Sequence, residues 1–191
     1  MGDSLTDYKS HGGKFLRYLE RHCPNSRFDN YGKGADMVNQ MRLRFQQQIT
    51  AGGKPRYTHV LVFGGVNDLY SDQTAHRTNE RIQRDLTQMY TWSREMGAEV
   101  IAFTVAPWGG FKRYFNPRRG QNTLELNRWI LLQRGDLVDE VIDAHGLLRC
   151  GDPHRLCPEY AAPFRDGIHF GPKGHELLGS ALLRQVFSDC D

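Results

Sequence analysis

Apolar positions along the chain fall into two kinds of stretch that alternate. Thr58 to Phe63 (Thr-His-Val-Leu-Val-Phe) is a continuous β-branched and apolar run, the pattern of a strand buried on both faces of a parallel sheet. Glu99 to Val105 reads the same way, Leu137 to Asp143 is a shorter version, and Ser26 to Asn30 is a brief strand candidate. Between these runs the period changes to that of a helix. Asn79 to Met96 is the clearest case, with Ile82, Leu86, Met89, Tyr90 and Met96 as its apolar stripe and Gly97 as a stop. Helices are also predicted from about Lys9 to His22 (Phe15, Leu16, Leu19), Asp36 to Ile49 (Val38, Met41, Phe45, Ile49) and Asn122 to Gln133. Gly52-Gly53 and Pro55 would end the second of these. Pro172 is placed to open a last helix to Phe187, with Leu177, Leu178, Ala181, Leu182 and Val186 facing inward. Ala144 to Arg165 has no period and reads as a surface excursion. Strand and helix in alternation predict an α/β fold, a three-layer α/β/α sandwich around a parallel sheet.

Composition narrows this picture without redirecting it. The 191 residues, 39% of them hydrophobic, suit one domain over 1–191 with a full core. A formal charge of +3 is too small to argue for a nucleic-acid partner. No apolar run approaches the roughly 20 residues that span a bilayer. The start lacks a basic-then-apolar leader, so the cytoplasm is the default compartment and an extracytoplasmic one follows only if a leader has been lost. Oligomeric state is not readable. Of the four cysteines, Cys150 and Cys157 flank a short polar loop and can close a disulfide in an oxidising compartment, while Cys23 and Cys190 have no evident partner. With His145 and His154, the first pair also has the closeness of a zinc set; a loop that happens to hold these residues is the plainer reading.

The candidate chemistry sits at the two ends. Ser4 stands in Gly2-Asp3-Ser4-Leu5-Thr6, and Asp166-Gly167-Ile168-His169 lies near the far end. A serine hydroxyl is a weak nucleophile. It needs an imidazole to take its proton and a carboxylate to hold that imidazole in the useful tautomer. Taken alone, Ser4 would more simply cap a helix; with Asp166 and His169 present, nucleophilic catalysis is the better reading. Gly64-Gly65-Val66-Asn67-Asp68 follows the strand ending at Phe63, which puts Asn67 at the strand's C-terminal end, where α/β sheets bind ligands. Asp3 and Asp68 are expected to tie down their own turns, and His175 to cap or face solvent.

These residues resemble the GDSL or SGNH hydrolases. Gly-Asp-Ser-Leu-Thr at Ser4, a turn glycine at Gly34, Gly-x-Asn-Asp from Gly65 to Asp68 and Asp-x-x-His from Asp166 to His169 occur in that family's order across nearly the whole chain. The resemblance implies an SGNH, flavodoxin-like sandwich and a serine esterase needing no metal or cofactor. It implies Ser4 as nucleophile, His169 as base and Asp166 as its orienting acid. The oxyanion hole would comprise the Ser4 and Gly34 backbone N–H groups and the Asn67 side chain, with Gly32 competing for the glycine position. In that fold an apolar strand runs into the Ser4 turn. Here Met1 alone precedes Gly2, so the first inner strand is expected to be missing or truncated, or the sheet to be built differently. The substrate would be a small-molecule ester, with small acyl or acetyl groups favoured. Lipase, thioesterase and carbohydrate esterase activities are the alternatives within the family, and a non-catalytic binding module of the same fold is the alternative outside catalysis. Lys112 to Arg119 is a basic loop interleaved with Phe111, Tyr114 and Phe115. It reads as a solvated face first and as a seat for an anionic group second.

Overall fold

The structure, a computed structural model, describes residues 1–50 and 57–190. Three parallel strands, β1 (His59–Val62), β2 (Glu99–Phe103) and β3 (Glu140–Ile142), lie side by side in sequence order. His59 is in register with Glu99, and Ile101 with Glu140. Each strand carries two apolar faces because each must bury both. Val60, Val62, Val100, Ala102 and Val141 enter one core, with Val38, Met41 and Phe45 of α2 (Val38–Phe45), Ile82, Leu86 and Met89 of α4 (Asn79–Glu95), and Leu126 and Ile130 of α5 (Pro117–Leu132). Phe63, Ile101, Phe103 and Ile142 enter the other, with Phe15, Leu16 and Leu19 of α1 (Lys14–His22) and Leu178, Ala181 and Leu182 of α8 (Pro172–Gln185). The two-residue alternation of a strand therefore separates the two helical layers. The three-layer α/β sandwich is as the sequence implied.

The sheet continues past β1 through single bridges. Gly2 pairs in parallel with Phe63 on one side and with Gly32 on the other. The Met1 ammonium donates to the Leu61 carbonyl (2.7 Å) and Phe63 N–H to Met1 O (3.1 Å). On the other side Gly2 N–H donates to Tyr31 O and Lys33 N–H to Gly2 O. Among the described residues the expected inner strand is represented by the stub Met1–Gly2. The Ser26–Asn30 strand candidate forms no regular element; the bridge to Gly2 falls just after it, at Gly32.

Three helix boundaries differ from the predicted ones for local reasons, and three short helices were not predicted. α1 starts at Lys14, not Lys9, because Tyr8–Ser10 form a single 3₁₀ turn and the chain reverses through His11, Gly12 and Gly13, the last at φ +70°. α2 ends at Phe45 in one π turn, Gln46–Thr50; the predicted Gly52-Gly53 and Pro55 stops lie outside the described residues. α5 begins at Pro117 rather than Asn122, because the Asn116 side chain caps the Arg119 N–H and Pro117 fits the first turn. The surface excursion contains two short helices, α6 (Ala144–Leu148) and α7 (Pro158–Ala161). A one-turn helix, α3 (Val66–Tyr70), follows β1 directly and was not predicted.

Candidate active site

The stub ends in a turn that its own residues lock. Thr6 and Asp7 donate their N–H groups to the Asp3 carbonyl (3.1 and 3.0 Å), and Leu5 N–H donates to Asp3 Oδ1 (2.9 Å). Ser4 stands half-buried at the apex, and its own N–H has no acceptor among the described residues. Arg44 stitches the strands beneath, donating to the Tyr31 and Gly2 carbonyls (3.0 and 3.1 Å) and pairing with Asp36. Gly2 is confined on two sides: a Cβ there would lie 2.2 Å from Thr6 Oγ1 and 2.8 Å from Phe63 O. Asp3, as expected, ties its own turn.

The second half of the site arrives from 165 residues away. His169 Nε2 lies 2.9 Å from Ser4 Oγ, and His169 Nδ1 lies 2.7 Å from Asp166 Oδ2. With Nδ1–H given to the carboxylate, Nε2 is left with its lone pair on the Ser4 hydroxyl. The same carboxylate's other oxygen accepts the Ile168 and His169 backbone N–H groups, both at 2.9 Å. Burial pushes Asp166 up, but those two N–H groups and the His169 ring outweigh it and hold the carboxyl below its usual range. Gly167 makes this hairpin-tight loop possible with φ +79°.

Asn67 is buried on α3, immediately after β1, and its amide donates one hydrogen to the Asp36 carbonyl (2.8 Å), leaving the other uncommitted. Asp68 does more than tie its own turn. Its carboxylate accepts the Val38 N–H at the start of α2 (2.8 Å) and Arg77 Nε (2.6 Å), and Arg77 passes to Asp85 (2.7 Å). Burial raises the Asp68 pKa, with the Arg77 charge opposing it. The predicted glycine donor is placed differently from the expectation. Gly34 N–H is already given to Asp7 Oδ2 (2.9 Å), and the competing Gly32 N–H to Asn30 Oδ1 (2.7 Å). The uncommitted donors are therefore the Ser4 N–H and the second Asn67 hydrogen.

Other candidates resolve away from this chemistry. Arg118 and Arg119 sit in the first turn of α5 and are clamped by Asp72 (both 2.6 Å), so half of the supposed anion-binding loop is spent internally. Asp72, pushed up by burial, is held below its ordinary range by Arg119. His175 neither caps nor faces solvent. It is buried, packed against Phe170 (4.4 Å between centroids) and Phe15 (5.9 Å), and burial lowers its pKa to about 3. Cys150 is joined to Cys157, and Cys23, which had no evident partner, is joined to Cys190 across 167 residues. No group of three potential metal ligands is assembled among the described residues. A cavity of about 600 Å³ lies beyond Met1, between β1 and residues 25–31. Ser4, Asn67 and His169 are absent from its walls.

Residues 1–177 match the model of the GDSL-like lipase/acylhydrolase family. The chain belongs to that family. The GDSL-like fold is shared at low identity with several solved structures. A GDSL-like lipase from Bacteroides thetaiotaomicron superposes with a TM-score of 0.77 at 18% identity, over 100% of this chain and 87% of that one. A lipase/acylhydrolase from Enterococcus faecalis gives 0.71 at 20%, over 98% and 93%. An acetyl xylan esterase from Geobacillus stearothermophilus gives 0.69 at 18%, over 96% and 90%. No curated protein matches in sequence. This GDSL-family chain is an ester hydrolase with an α/β fold. Among its described residues no helix is long and apolar enough to cross a membrane.

Arg44 and Arg77 carry much of the site's support and were not read from the sequence. A single arginine in a sequence gives no sign of the carbonyls or carboxylates that folding will bring to it.

Proposed function

We propose that this GDSL-family hydrolase is a serine esterase in which Ser4, His169 and Asp166 act as nucleophile, base and orienting acid. The observation that carries the reading is the 2.9 Å contact between Ser4 Oγ and His169 Nε2. Ser4 Oγ attacks the ester carbonyl as its proton passes to His169 Nε2, and the imidazolium is stabilised by Asp166. The tetrahedral oxyanion is met by the Ser4 N–H and the Asn67 amide, and the Gly34 N–H joins them when Asp7 yields it. Collapse of the intermediate returns the proton to the leaving alcohol and leaves an acyl-enzyme. Water activated by His169 then releases the acid. An oxyanion donor of this kind is worth about 3–4 kcal/mol, or roughly 10²–10³ in turnover.

Small acyl groups, acetyl above all, are the proposed acyl donors. The half-buried Ser4 does not line the cavity of about 600 Å³, so that cavity does not serve as its acyl site. The acetyl xylan esterase with the same fold acts on such a group. The test is hydrolysis of p-nitrophenyl acetate by the wild type and its Ser4→Ala variant, with fluorophosphonate labelling and mass mapping. Activity lost with Ser4 and label found on Ser4 are expected. A label elsewhere, or equal activity in both proteins, overturns the assignment.

A further inference from the structure

Beside the site stands a cluster of rings with no role in the steps above. Tyr70 follows Asn67 by three residues on α3, so their side chains share one helix face. Its phenol, raised in pKa first by burial, also senses the charge of Asp3, the residue before Ser4. Phe111 follows Gly110, whose backbone abuts Gly167 between Asp166 and His169. Tyr114 closes the triangle. Ring centroids are 5.7 Å apart for Tyr70 and Phe111, 5.4 Å for Tyr70 and Tyr114, and 4.9 Å for Phe111 and Tyr114.

The wall is rigid from behind and open in front. Trp108, buried, donates Nε1–H to Thr123 Oγ1 (2.9 Å) and packs 6.5 Å from Tyr70. Arg119, clamped by Asp72, donates to the Tyr114 carbonyl. In front, all three rings are only partly buried. Neither the Tyr70 nor the Tyr114 hydroxyl has a hydrogen-bond partner among the described residues. The exposed Arg113 guanidinium lies 5.3 Å over the Tyr114 ring.

We propose that this wall binds the sugar ring of an acetylated glycoside, the alcohol half of the ester, an inference that rests on the esterase reading. A pyranose has an apolar C–H face and a rim of hydroxyls. The ring faces match the first, and the two phenol hydroxyls with Arg113 match the second. A plain alkyl alcohol would leave those three polar groups to water and gain nothing from them.

The experiment compares kcat/KM for an acetylated methyl glucopyranoside, phenyl acetate and ethyl acetate in the wild type, Tyr114→Ala and Phe111→Leu. The ratio of glycoside to ethyl acetate is expected to fall roughly three- to tenfold in each variant, mainly through KM. An unchanged ratio overturns the proposal. So does a fall confined to phenyl acetate, which would assign the wall to an aryl alcohol. Saturation-transfer NMR on Ser4→Ala gives a readout free of turnover. Transfer to the glycoside's C–H protons, lost on adding Tyr114→Ala, is expected; none in Ser4→Ala overturns the wall. A wild type inactive on all three esters removes the esterase reading instead, and the NMR result still decides the wall.

Discussion

Gly167 and Gly110 meet backbone against backbone: a Cβ on Gly167 would lie 2.0 Å from the Gly110 carbonyl carbon and 2.4 Å from Phe111 N. Gly167 also sits at φ +79°, so its lack of a side chain is needed twice. The contact holds the loop of Asp166 and His169 against the loop of Trp108 to Phe115. Gly167→Ala must therefore push the imidazole off its line to Ser4. A misplacement of about 1 Å costs roughly 10²-fold in rate. A fall of about that size in kcat, with circular dichroism unchanged, is expected. Wild-type kcat in the variant would show that the loop is positioned by something else.

Asp166→Asn separates the carboxylate's two duties. The amide oxygen can still accept the Ile168 and His169 backbone N–H groups, so the turn should stand. The charge that fixes the tautomer of His169 is gone. In serine proteases with the same arrangement such a change lowers kcat by about 10⁴. A fall of roughly 10²–10⁴ in kcat with little change in KM is expected here. A loss below tenfold would mean that the imidazole is oriented without Asp166.

Arg77 links Asp68 and Asp85 in the core, and the residue is 6% exposed. Arg77→Met leaves the buried Asp68 carboxylate without its cation, while Asp85 keeps Arg42 (3.1 Å), at a cost of about 3–5 kcal/mol. The exposed pair of Arg94 and Asp139 offers a control, since Arg94→Met should cost under about 1 kcal/mol. Urea denaturation of the two variants measures the contrast. Because Asp68 also holds the start of α2 beside Asn67, Arg77→Met should lower kcat as well. Equal stability losses in the two variants would contradict this account.

These residues also mark the limit of what the sequence shows. Strands β1 and β2 were legible because burial on both faces writes a continuous apolar run. Asp166 and His169 were legible because their relation is local, three residues within one loop. α3 was not, since a single turn is too short to display a period. The Cys23–Cys190 disulfide and the Arg44 and Arg77 networks were not legible either. Their partners are separated by the fold rather than by any spacing in the chain. The Gly34 assignment shows a subtler limit: a motif can name the glycine, but only coordinates show that Asp7 already holds its N–H.

Asp3 gives the prediction most specific to this chain. Three acids approach one another behind Ser4, and two of them have cations: Asp36 has Arg44 and Lys33, and Asp68 has Arg77. Asp3 has none. Its Oδ2 is buried without a hydrogen-bond partner. Burial foremost, then the Asp68 and Asp36 charges, raise its pKa from 3.8 to about 7, with the Leu5 N–H opposing. The unfolded chain releases this proton near pH 4, and the folded chain keeps it to about pH 7. Between those values the folded state holds one proton more, so this group's contribution makes stability fall as pH rises. The full effect is roughly 4 kcal/mol and is flat above pH 7. Asp3→Asn is neutral throughout and keeps an oxygen for the Leu5 N–H. The buried Met1 ammonium and His175, with pKa values lowered to about 5 and about 3, push the other way in both proteins and cancel in the difference. Urea denaturation from pH 4.5 to 8.5 should therefore show the variant gaining on the wild type up to about pH 7 and then running parallel to it. Curves parallel over the whole range would mean that Asp3 is ionised in the folded protein, with a cation or water beside it.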